Sequence, residues 1–188
     1  MSPASSARCR PVPATGGAAG RGHPVVVYPG GDQEDYRPWT QRHRVGLQGH
    51  TGFVKLALGQ RVPVVPLVSH GSHDAIVVLS RGDNLARLLH FDRLRINVMP
   101  LVAGPPWGIA PAQLPTWPLP SKVTVRVCEP IRWDDLDPSA VDDEGVVRRC
   151  YEQVEGRMQQ NMDEMVEALP HPVLSRVGTA LGLDRFRR

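Results

Sequence analysis

Between Tyr36 and His73 the chain carries five basic side chains, Arg37, Arg42, Arg44, Lys55 and Arg61, together with His43, His50 and His70, and no acid. A local field of that sign suits a phosphate-bearing ligand, and the planar fork of arginine is the side chain best matched to that geometry. A solvated basic loop has the same composition, and the residues alone leave both readings open. Just upstream, Pro29, Gly30 and Gly31 close the run Val25 to Tyr28 and precede Glu34. Two glycines after a strand let backbone amides approach an anion. They equally make an ordinary turn.

His70, His73 and Asp74 form the compact set His-x-x-His-Asp. Without a fourth partner at motif spacing they do not read as a metal centre, and none is expected. The cysteines, Cys9, Cys128 and Cys150, are odd in number and contain no Cys-x-x-Cys pair. That argues against a zinc knuckle and a disulfide framework, and for a reducing, cytosolic setting.

The elements that must position these residues can be read from pattern. Residues 1–24 are rich in Ala, Pro, Gly, Ser and Arg without hydrophobic periodicity, and are expected to be disordered. Val25 to Tyr28 reads as a buried strand. Thr51 to Leu58 fits a short buried helix with Thr51 as its N-cap, and Val62 to Val68 reads as a second strand with Pro63 and Pro66 at its margins. Ala75 to Phe91 has helical spacing with a break near Arg81 to Asp83, and Arg95 to Leu101 and Lys122 to Val127 read as two further strands around a proline-rich loop. Trp107, Ile109, Leu114, Trp117 and Leu119 in that loop suit a bilayer interface, an acyl-chain tunnel or the closure of a sheet, and the sequence does not choose among them. Asp142 to Leu169 carries Val146, Cys150, Val154, Met158, Met162, Met165 and Leu169 at steps of three or four, an amphipathic helix whose methionines suit core packing. Strands alternating with helices predict an α/β fold with a mixed, mostly parallel sheet flanked by helices, with antiparallel pairing open for the last two strands.

The whole chain has 188 residues, 41% of them hydrophobic, which bounds it to one domain. Its net charge of +3 comes from Arg8, Arg10 and Arg21, since the residues from Val25 onward are balanced. A body without net charge argues against nucleic-acid binding through a general positive field. No stretch resembles a signal-peptide core or a spanning helix.

Five ordered blocks, VVVYPGGDQEDYRPW, TGFVKLAL, VPVVPLVSHGSHD, RLRINVMPLVAGPPWG and PLPSKVTVRVCEPI, together resemble the second half of a lysophospholipid acyltransferase of the phospholipid/glycerol acyltransferase superfamily. The resemblance covers about Val25 to Trp133. It implies a partial acyltransferase domain at 25–188, helical over 140–188 and incomplete at its N-terminal side. By resemblance, Pro29, Gly30, Gly31, Glu34 and Arg37 shape the acceptor side, and Val62, Pro63 and Pro66 match the family's later Val-Pro-x-x-Pro block. Gly30 stands where phosphate-acceptor enzymes carry a glutamate, as it does in the branch that includes neutral-glycerolipid acyltransferases.

The implied reaction moves a fatty acyl group from acyl-CoA or acyl carrier protein to a lysophospholipid or glycerolipid hydroxyl, with no further cofactor. The family's base is the histidine of a His-x4-Asp motif, oriented by the aspartate. Five positions after each of the seven histidines stand Tyr28, Gln48, Lys55, Ala75, Val78, Arg95 and Arg176, none of them aspartate. A truncated domain lacking its base is therefore expected, with residues 1–24 outside the family and His70 and His73 as the nearest substitutes. The alternative is a catalytically inactive remnant that binds lipid or a protein partner. Either form is expected in the cytoplasm, with peripheral membrane contact through the Arg37 to Arg61 side, because Glu129 to Glu167 holds twelve acids against four arginines.

Overall fold

The computed structural model describes residues 24–31, 34, 36–82, 100–112 and 114–181. Five short strands and four helices are defined among them. The strands are β1 Leu67–His70, β2 Val77–Ser80, β3 Leu101–Gly104, β4 Gly108–Pro111 and β5 Thr124–Val127, and the helices are α1 Gly52–Gln60, α2 Ser72–Ala75, α3 Glu144–Ala168 and α4 Pro172–Ala180.

The class is mixed α/β, as expected, but both sheets are antiparallel. β1 pairs with β5 in the register Leu67↔Val127 to His70↔Thr124, and β2-β3-β4 forms a meander. The expectation of a mostly parallel sheet fails at the proline-rich loop. That loop supplies β4 itself, and the three-residue turn between β3 and β4 permits only a hairpin, since a parallel return needs a long crossover. The helix expected from Ala75 to Phe91 also fails over its first half. Ile76, Val77, Val78 and Leu79 are a short run of mostly β-branched residues, and the last three lie in β2. Its second half, and most of the strand expected from Arg95, lie outside the described residues, where the strand's end, Leu101, opens β3.

The prolines act as anticipated on the second strand. Val64 makes one isolated bridge to Ile131, and the β1 ladder starts at Leu67, immediately after Pro66. A proline has no N–H to give a ladder. The Pro66 carbonyl still accepts from Cys128 N at 2.9 Å. Val25 to Tyr28, expected to be a buried strand, forms no strand among the described residues, and Val26, Val27 and Tyr28 are exposed, Tyr28 at 84%.

α1 buries Val54, Ala57 and Leu58 and ends where Arg61 turns left-handed at φ 50°, its N–H reaching the Ala57 and Leu58 carbonyls. Thr51 stands at the N-cap, but its side chain makes no capping bond. α3 is capped properly: Asp143 accepts from Gly145 N and Val146 N at 2.8 and 3.1 Å. Its buried stripe is Val147, Cys150, Tyr151, Val154, Met162 and Met165. The first four pack with Leu47, Val54, Leu58 and Ile131, and the two methionines pack with Val68 and Cys128. Burial of each such side chain is worth about 1.5–3 kcal/mol.

A second contact ties α3 to the segment 43–49. Val45 N donates to Gln159 Oε1 at 2.8 Å, Leu47 N to Glu155 Oε1 at 3.2 Å and Gly49 N to Tyr151 Oη at 2.9 Å. The three side chains stand four residues apart on the helix, and the last amide they meet, Gly49, lies in a turn where Gln48 (φ 57°) and Gly49 (φ 71°) are left-handed and His50 N donates to the Leu47 carbonyl at 3.1 Å. Gln159 Nε2 completes the set by donating to the His43 carbonyl at 3.0 Å.

Candidate functional site

The Pro-Gly-Gly turn is built around Glu34. Gly31 takes φ +52°, and Glu34 N donates to its carbonyl at 2.9 Å. A Cβ at Gly30 would stand 2.7 Å from Glu34 Cβ and collide with the Glu34 carboxylate, so glycine is needed there for the glutamate to fold back. His73 Nε2 donates to the Glu34 carbonyl at 2.9 Å, which pins the turn to α2. Arg37 is 7% exposed, with Nη2 3.6 Å from Glu34 Oε1 and without a hydrogen-bond partner.

Beside this turn lies a cavity of about 320 Å³. Tyr36, Ser72, His73 and Thr116 supply its polar wall, and Ile76, Val78, Val102, Ala112 and Leu114 its apolar one. Such an amphipathic lining fits a ligand with a hydroxyl at one end and hydrocarbon at the other. A cleft of about 430 Å³ between β5 and the end of α3 is larger, but its Arg126 is engaged by Glu164 at 2.6 Å and no imidazole faces it. The smaller cavity is the one with acid–base chemistry in its wall.

The two histidines nearest to a base have different surroundings. His73 lines the cavity, and its Nε2–H is spent on a backbone carbonyl, which leaves Nδ1 as the basic nitrogen. A carbonyl orients it in place of a carboxylate. His70 is 2% exposed, away from the cavity, and gives its Nε2–H to the Leu169 carbonyl at 2.9 Å. It meets His43 edge to face, with ring centroids 5.3 Å apart, and Asp74 joins them: one donor atom from each of the three lies within 4.8 Å of the others. Arg42 holds Asp74 Oδ1 at 3.2 Å while stacking 3.7 Å over Trp39. Burial first, then the charges of Arg42 and His70, push the His43 imidazole below its ordinary value, with Asp74 and Asp163 pulling the other way.

The structure thus gathers Gly30, Gly31, Arg37 and His73 around Glu34, with Pro29 preceding Gly30 in the same turn. Val62, Pro63 and Pro66 do not line the cavity; they lead into β1 from the end of α1, where Val62 N bonds the Ala57 carbonyl at 3.1 Å. The expected free basic field is partly spent: Arg37 faces Glu34 and Arg42 faces Asp74, both sheltered from solvent. Tyr36 and Ser72 belong to the cavity and were missed by the motif reading. The polar cluster Ser69 to Asp74 carried the signal for Ser72, but nothing in the spacing joined His43 to His70.

A profile of diacylglycerol acyltransferases matches residues 15–153. The match starts inside the Ala/Pro/Gly/Arg-rich stretch and ends within α3. Similar curated proteins include the uncharacterised proteins Rv0502 of Mycobacterium tuberculosis, Mb0514 of Mycobacterium bovis and ML2427 of Mycobacterium leprae. Each is 30% identical over 141 residues, 75% of this chain. The chain spans little more than a third of the length of these relatives, 37% for the first two and 36% for the third. No solved structure matches significantly.

Proposed function

The chain belongs to the diacylglycerol acyltransferase family, and from that premise we propose that it forms the acceptor-binding side of an acyltransferase, without a base of the His-x4-Asp kind. The reaction it serves moves a fatty acyl group from acyl-CoA or acyl carrier protein to the hydroxyl of a glycerolipid. The observation that carries this reading is the cavity lined by α2, β2, β3 and the loop after β4, polar at Tyr36, Ser72 and His73 and apolar beyond. A glycerol hydroxyl at the polar wall leaves its acyl chains along Val78, Val102 and Leu114.

A neutral acceptor fits better than a phosphate-bearing one. Among the described residues no cation lines the cavity, and Arg37 and Arg42 are sheltered and face Glu34 and Asp74, so a phosphate beside either would meet a carboxylate. Glu34 also returns a carboxylate to the space that a side chain at position 30 would fill, which replaces the glutamate that the phosphate-acceptor pattern carries there. Membrane contact, on this reading, is made by the β3–β4 hairpin and the loop after it. Trp117 and Ile109, each 68% exposed, lie in a stretch that carries no charge from Ile96 to Ser121 and that also supplies Val102, Ala112, Leu114 and Thr116 to the cavity.

The test incubates the purified chain with a fluorescent monoacylglycerol, diacylglycerol or lysophosphatidate, and separately with radiolabelled acyl-CoA plus each acceptor. Expected are binding of the neutral lipids, weaker binding by Leu114→Glu, and no acyl transfer. Failure to bind any of the three lipids overturns the acceptor role. Transfer above a no-enzyme control overturns the absence of a base and makes His73 the residue to replace first. A lipid-binding or protein-binding chain without a part in acyl transfer is the second reading, and it predicts binding that Leu114→Glu leaves unchanged.

A further inference from the structure

We propose that His43, His70 and Asp74 form a transition-metal site, with Zn²⁺ as its ion, distinct from the lipid cavity. The donors come from three separate pieces of the fold: the segment before α1, the last residue of β1, and α2. One ligand atom from each lies within 4.8 Å of the others. A tetrahedral zinc ion with bonds of about 2.0–2.1 Å needs its ligands about 3.4 Å apart. Side-chain rotations of roughly 1 Å close that gap.

The hydrogen bonds around the cluster leave the right atoms free. His70 spends its Nε2–H on the Leu169 carbonyl, which fixes the tautomer and leaves the Nδ1 lone pair for a metal. That is the arrangement in which a ligating imidazole is usually held, its other nitrogen donating to a backbone carbonyl. His43 Nε2 is buried without any hydrogen-bond partner, a loss that a metal bond would repair. Arg42 binds Oδ1 of Asp74 and is itself anchored by the Trp39 carbonyl at 3.0 Å, so Oδ2 remains for the ion. The guanidinium repels a dication, but with Asp74 ionised the pair carries no net charge before the ion arrives. Two imidazoles and one carboxylate suit zinc, with a fourth position left for water.

The full chain, stripped with a chelator and dialysed, is titrated with ZnCl₂ by calorimetry and with CoCl₂ by visible absorption. One equivalent is expected to bind, with the intense cobalt bands of a four-coordinate site and a rise in Tm. His43→Gln and Asp74→Asn should each weaken binding by more than the roughly tenfold that loss of an outer partner costs. His171→Gln, an exposed histidine elsewhere, should leave it unchanged. Because His70 is deeply buried and its replacement threatens folding, the half-buried His43 provides the decisive variant. Absence of the cobalt bands overturns the proposal, as does zinc binding that survives both His43→Gln and Asp74→Asn, or that falls equally in His171→Gln.

Discussion

At the scale of single residues, His43 governs how the molecule responds to acid. Burial, Arg42 and His70 keep its imidazole neutral to lower pH than in the unfolded chain, where it titrates near 6.5. Below that pH the unfolded state takes up a proton that the native state excludes, so stability falls as pH drops and is level above it. In metal-stripped protein, urea denaturation between about pH 7.5 and 5.5 should show a larger loss for the native sequence than for His43→Gln. Equal slopes would contradict this. His43 also marks where reading by motif stops. His70, His73 and Asp74 stand out as a set because they are close in sequence, yet His73 turns to Glu34 and its place beside His70 and Asp74 is taken by a residue from far upstream. The Pro-Gly-Gly turn was legible, because glycine requirements are local; the partner that makes Gly30 necessary, the folded-back Glu34, was named but not its pose.

At the scale of elements, α3 was legible because its apolar spacing runs through many turns. The stripe is shifted from the expected one at two places, Val147 and Tyr151 being buried beside the anticipated Cys150 and Val154. Asp143→Ala should cost about 1 kcal/mol through loss of the cap. The polar face of the helix holds what sequence could not reveal. Gln159→Ala leaves the Val45 amide and the His43 carbonyl without partners, at a cost of about 1–3 kcal/mol. Gln160→Ala, on the exposed side, should cost nothing measurable. Urea midpoints of the three variants decide, and a Gln159→Ala as stable as Gln160→Ala would mean that water replaces the side chain. β1 and β5 were legible as apolar runs but not as a pair, and β2 was read as part of a helix. Direction is set by connections, and the proline-rich segment that reads as a loop turned out to hold a strand.

At the scale of the whole molecule, no helix among the described residues is long and apolar enough to cross a membrane. The membrane contact proposed above has two candidate surfaces, the basic one first expected and the apolar hairpin. Arg42 reversal would break its pairing with Asp74 and so test folding instead of binding. The informative experiment compares Trp117→Ala with Ile109→Ser against reversal of the exposed Arg44 and Arg61, on phosphatidylcholine vesicles. Binding should fall in the first pair and hold in the second, and the opposite result would return the membrane face to the basic side. The bonding of segment 43–49 to α3 carries a consequence for how the chain is made. His43 leaves the ribosome 116 residues before Gln159, the side chain that takes its carbonyl. The segment's amides therefore wait in water until α3 emerges, and during synthesis the imidazole cluster takes its final form only after the Pro-Gly-Gly turn and the hairpin beside it have had time to form.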